Sequence, residues 1–149
     1  MSKGLAPFLV IALLLPAATW AQNYPPSVTE LVAKARKQVK TIDAKTFKAT
    51  LDKKGAGLIV DVREPAEFAD GHVPGAINLP RGQIEFKVWP HLGHPENLDT
   101  RKKITVYCST GSRSILATKA LQDLKLGNVT AVDMKWEEWT KAKYPVVTE

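Results

Sequence analysis

Beyond its first two dozen residues, the chain alternates two hydrophobic periods. Val28, Leu31, Val32, Ala35 and Val39 recur at helical spacing, and Ser27 with Glu30 has the spacing of a capping box, which predicts an amphipathic helix over 28–39. A second helix is predicted after Asp43 as N-cap, burying Phe47 and Leu51 and stopping at the "GAG" of residues 55–57. The period then changes. "LIVDV" (58–62) is a nearly continuous apolar run, as in a strand covered on both faces. Pro65, with Glu67 and Phe68 behind it, opens a short helix that Gly71 ends. "ITVY" (104–107) is a second buried-strand pattern. From Ser114, the residues Ala117, Ala120, Leu121 and Leu124 mark one helical face up to Gly127, and "VTAV" (129–132) is a third strand. Trp136 and Trp139, at i and i+3, are expected to be core and pocket wall. Segment 82–100 shows few regular signals and is read as a short helix followed by a loop at the pocket mouth. Strands alternating with helices across connections of ten or more residues predict an α/β domain, a parallel sheet with helices on both faces.

The N-terminus follows a different pattern. Lys3 precedes the short apolar run Leu5–Ala18, which ends near small residues, so residues 1–21 are expected to be a secretory signal peptide cleaved after Ala21. The expected location is therefore secreted or periplasmic, with no membrane attachment after cleavage. Residues 22–39 are expected to form an N-terminal extension carrying one helix, and 40–149 one compact domain. The formal net charge of the full chain is +6, and removing Lys3 lowers it by one. The lysines and arginines between Lys34 and Lys54 are spread along helical patterns and read as a solvated face. No aromatics are interleaved with them, so no nucleic-acid platform is expected, and the charge reads as mild attraction for small anions.

Candidate chemistry centres on "YCSTGSRS" (107–114), which holds Cys108, the single cysteine of the chain. A lone cysteine offers an exported protein no intrachain disulfide. Cys108 directly follows a parallel strand, at the sheet edge where open α/β folds bind ligands. Between it and Arg113 lie Ser109, Thr110, Gly111 and Ser112, whose amides can curl inward because Gly111 tolerates positive φ. Those amides, the N-terminus of the following helix and the Arg113 charge are all expected to favour a thiolate. His91 and His94 form H-x-x-H without a third ligand of suitable spacing, so no metal is expected. Nor does any motif ask for a cofactor.

The loop resembles the active-site loop of the rhodanese family, sulfurtransferases that carry sulfur as a cysteine persulfide. "LIVDVREPAEFADGHVPGAINLP" (58–80) resembles that family's upstream signature, including Asp61, Arg63, Phe68, Gly71, His72 and Gly75. The likeness runs from about Lys40 to Val146, and it implies a rhodanese-like domain with a sheet of about five strands. Four residues separate Cys108 from Arg113, as is expected of sulfurtransferase-like members; related phosphatases and arsenate reductases are expected to have five. Ser109 stands where thiosulfate-using members often place a basic residue, leaving one fewer charge for an anionic donor. "AVDMKWEEW" (131–139) is more similar to the terminal motif of tandem-domain sulfurtransferases than to single-domain members.

The resemblance implies double displacement, with Cys108 taking sulfur from a small anionic donor such as thiosulfate and passing it to cyanide, a thiol or a protein acceptor. Arg113 is expected to orient the donor or to tie the loop to the body. Ser109, Thr110, Gly111 and Ser112 would line the substrate, with Arg63 supporting them near the pocket, while Asp61 and His72 are expected to be structural. Two alternatives remain at this point. One is a persulfide carrier or interaction module with little turnover of free substrate; the other is a cysteine-dependent phosphatase or arsenate reductase.

Overall fold

The computed structural model describes residues 24–149; the expected signal peptide, residues 1–21, lies outside the described residues. Five strands form one all-parallel sheet: β1 (Lys40–Ile42), β2 (Leu58–Asp61), β3 (Ile77–Asn78), β4 (Ile104–Tyr107) and β5 (Val129–Val132), in the order β1-β5-β4-β2-β3. The helices are α1 (Pro26–Arg36), α2 (Ala44–Asp52), α3 (Pro65–Ala69), α4 (Ile84–Lys87), a 3-10 turn (Trp89–Leu92), α5 (Ser112–Asp123) and α6 (Trp136–Lys141). The α/β class and parallel sheet expected from the alternating periods are therefore observed. Strands β1 and β3 carry too few residues for a hydrophobic period to show.

The pleat of the sheet sorts its side chains. Val60, Ile104, Val106, Cys108 and Val129 point to one face and pack with Ile84, Val88, Leu92, Ala117 and Leu121 of α4, the 3-10 turn and α5. Ile59, Tyr107 and Val132 point to the other, against Phe47 of α2 and Trp139 of α6. A one-residue slip would exchange the two sets, so the register is strongly specified.

Two helix starts differ from expectation. Helix α1 begins at Pro26 after Pro25, with no side-chain cap, so the Ser27–Glu30 box does not form; proline at the first helical position already supplies the helical φ and needs no amide partner. Helix α5 begins at Ser112, because Gly111, at φ 83°, serves as N-cap. The N-cap expected for α2 is observed, with the Asp43 carboxylate accepting from Thr46 N at 2.7 Å. Helix α1 is not a detached extension: Ala35 is buried against Ile115 of α5 and Ala131 of β5.

Candidate active site

All strands run in one direction, so their carboxyl ends share one edge. The chain leaves β2 for β3 on one side and β4 for β5 on the other, which opens a crevice between the neighbours β2 and β4. Cys108 follows β4 and Asp61–Arg63 closes β2, so both motifs reach that edge.

Cys108 is fully buried beneath its own loop. Ser114 N, in the first turn of α5, donates to Sγ at 3.3 Å, and the Ser114 hydroxyl lies 3.7 Å from Sγ. That hydroxyl is fixed beside Gly111 O at 2.8 Å and Val132 O at 3.0 Å. The amino end of a twelve-residue helix thus meets the sulfur, where its N–H groups favour negative charge. Gly111 is required here: at its positive φ, a Cβ would meet Asp133 Oδ1 at 2.5 Å. On the far side of the loop, Trp136 N donates to Ser109 O at 2.8 Å.

Arg113 reaches from the loop to α3. Its guanidinium grips Glu67 of α3 with two 2.8 Å bonds and donates to Ser109 Oγ at 2.7 Å. Of the two expected roles, orienting a donor or tying down the loop, the geometry displays the tie. The Arg113 hydrogen bonds hold the Glu67 carboxyl below its ordinary 4.5, against partial burial, and Glu67 in turn raises the Arg113 pKa. Because the folded pKa of Glu67 is depressed, the stability it contributes is complete above about pH 4.5 and is lost as pH falls through the lowered value. Wild type should accordingly melt above Glu67→Gln at neutral pH, with the two curves converging in acid. Parallel melting-temperature curves from pH 7 down to 3 would refute this tie.

Arg63 is buried at the end of β2. Its side chain is 3% exposed and pairs with the fully buried Asp61, Nη2 to Oδ2 at 2.6 Å and Nε to Oδ1 at 3.0 Å. It also donates to Gly71 O at 2.7 Å and lies 4.3 Å from the Trp136 ring centre. The structure places Arg63, expected to support the loop near the pocket, as a buried brace between β2 and the end of α3. The Asp61 carboxylate takes Nε and Nη2, and the Trp136 ring lies over the guanidinium. Asp61, expected to be structural, accepts from the Arg63 amide, Nε and Nη2. His72 forms a backbone bridge with Val147, its Nδ1 2.9 Å from Phe68 O and its ring stacked on Phe68 at 3.6 Å. Trp139 is core, while Trp136 stays partly exposed over Arg63.

A cavity of about 700 Å³ opens above the loop, with Ser109, Thr110, Ser112, Arg113 and Glu67 on one side and α1 on the other. Its volume is in the range of small-molecule sites. Sequence reasoning missed three participants: Glu67, Ser114 and Asp133. Glu67 was legible only as a helix-opening acid, since nothing along the chain announces a partner 46 residues later.

A parallel α/β domain with a cysteine loop at the sheet's switch point, closed by a helix amino end, defines the class. The model of the Rhodanese-like domain matches residues 43–142, and the chain belongs to that family. It is 32% identical over 98 residues to the thiosulfate sulfurtransferase GlpE of Pseudomonas putida, covering 66% of this chain and 82% of that one. With a sulfurtransferase of Allochromatium vinosum it shares 28% identity over 109 residues, 73% of this chain and 95% of the relative. Among solved structures, a Rhodopseudomonas palustris protein of unknown function, described as a possible tyrosine phosphatase, superposes with a TM-score of 0.67 at 26% identity. That match covers 97% of this chain and all of the other. Family and relatives together support a sulfurtransferase in general terms.

Proposed function

We propose that the protein moves a sulfane sulfur from a donor such as thiosulfate to a thiophilic acceptor through a persulfide on Cys108. The observation that carries this reading is the amino end of α5 on Sγ, with Ser114 N at 3.3 Å, inside a loop of four residues between cysteine and arginine. The Cys108 thiolate attacks the outer sulfur of thiosulfate; the new S–S bond forms as the S–S bond of the donor breaks, and its electron pair leaves with sulfite. Cyanide or a thiolate then attacks the outer persulfide sulfur, and the electron pair of the broken S–S bond returns to Cys108. The helix end meets negative charge in both halves, and a well-aimed donor of this kind contributes about 3 kcal/mol in comparable sites.

The test is the intact mass of the purified protein after incubation with thiosulfate. We expect a gain of one sulfur, ~32 Da, removed by cyanide and absent from Cys108→Ser. No gain from thiosulfate or from a small alkyl persulfide would defeat the reading.

A persulfide carrier with low free-substrate turnover is the second reading. It is favoured by the two hydrogen bonds that Arg113 donates to Glu67, which occupy the one cation of the loop. Fast saturable turnover of thiosulfate with cyanide decides against it. Export to a periplasmic or extracellular space is proposed on the sequence pattern of residues 1–21; an uncleaved N-terminus in protein recovered from its native host would defeat it. Among the described residues, no helix is long and apolar enough to cross a membrane.

A further inference from the structure

The family match begins at residue 43, yet α1, wholly upstream of it, builds one wall of the cavity over the cysteine loop. That wall is mostly apolar: Val28, Val32 and Ala33 from α1 line the cavity with Thr29 and Arg36 beside them, and Leu116 of α5 continues the apolar surface. Helix α1 is held in place from two directions. Its Ala35 packs on Ile115 and Ala131, and its Arg36 is ion-paired with Asp133, the same residue that abuts Gly111 of the loop. The wall is thus built into the domain and tied to the loop it faces.

The charges of the cavity are already matched. Arg36 is paired with Asp133, Arg113 is paired with Glu67, and Ser109 and Ser112 contribute only hydroxyls. The loop amides and the helix end can meet the charge of a small donor, and cyanide needs little volume, so neither accounts for the apolar wall. About 700 Å³ with an apolar wall and balanced charge suits a larger, weakly charged organic molecule.

Resting on the persulfide reading above, we propose that the sulfur acceptor is a low-molecular-weight organic thiol with an apolar body, which α1 binds against Val28, Val32 and Ala33. Cys108 lies buried beneath the loop residues that line the cavity, and the transferable sulfur of its persulfide stands ~2 Å beyond Sγ. The acceptor thiolate attacks that outer sulfur; the S–S bond to Cys108 breaks with its electron pair returning to Cys108, and the acceptor leaves as its persulfide. No outside oxidant or reductant is needed. Run backwards, the same step makes an apolar persulfide a donor.

The experiment loads the full chain with sulfur, from thiosulfate or a small alkyl persulfide, and follows loss of ~32 Da with three acceptors: phenylmethanethiol, 2-hydroxyethanethiol and cyanide. At matched thiolate concentrations, we expect discharge by phenylmethanethiol to saturate and to exceed that by 2-hydroxyethanethiol about tenfold or more. Ala33→Trp, which adds bulk at an exposed helix position facing the cavity, should abolish that preference and leave cyanide discharge unchanged. Val28→Ser, a smaller change on the same wall, should reduce the preference in a chain of unchanged melting temperature. Equal rates for the two thiols in wild type, or an equal loss toward cyanide in Ala33→Trp, would overturn this proposal while leaving the persulfide reading intact. Failure of Cys108 to load from either donor would instead overturn the persulfide reading, and this proposal with it.

Discussion

Cys108→Ser is expected to load no sulfur and to lose at least ~10³-fold in transfer to cyanide, while melting within a few degrees of wild type. A serine hydroxyl is barely ionised near neutrality and forms no persulfide, so the first half-reaction has no nucleophile. The fold should tolerate the exchange, because Ser114 N can donate to Oγ as it does to Sγ, and the replaced atom is smaller. Two measurements separate chemistry from stability: the intact mass after thiosulfate, and a thermal melt. Residual transfer within tenfold of wild type would remove Cys108 from the mechanism. Phosphate-ester hydrolysis that disappears in the same variant would move the protein toward the phosphatase alternative.

The second large effect concerns stability. Asp61 is fully buried and makes the two-sided pair with Arg63, so Asp61→Ala leaves a guanidinium 3% exposed without its counter-charge. Breaking one side of a buried pair costs about 3–5 kcal/mol, a fall in melting temperature of roughly 10–20 °C for a domain of this size. The damage should also reach the site. Arg63 holds Gly71 O just beyond α3, α3 carries Glu67, and Glu67 holds Arg113 of the cysteine loop. Replacing both partners, Asp61→Leu with Arg63→Met, should recover part of the lost stability, because no unpaired buried charge then remains. A single Asp61→Ala variant that melts within two or three degrees of wild type would show that solvent reaches the pair.

Legibility in the sequence followed the range of each interaction. Buried strands are short apolar runs, so "LIVDV", "ITVY" and "VTAV" announced β2, β4 and β5. The two-residue β3 could not, since its place depends on pairing Ile77 with Val60. The Asp43 cap spans three residues and was readable. The capping box expected for α1 is equally local, yet it lost to the prolines just before it.

By itself the sequence determined the α/β class, the cysteine loop at a strand's carboxyl end and the length of the Cys108–Arg113 spacing, because each is a property of neighbouring residues. Tertiary structure alone decided what the charges do. Arg63 was drawn into the body by Asp61 and Trp136, Arg113 was turned to Glu67, and Ser114 was set against Sγ. It alone placed α1 over the loop as an apolar wall. The physical reason is common to all four. A charge or a helix face takes the partner that folding brings nearest: Glu67 lies 46 residues from Arg113, α1 arrives from upstream of the domain, and even the neighbouring Asp61 and Arg63 form a buried pair only because the body closes over them.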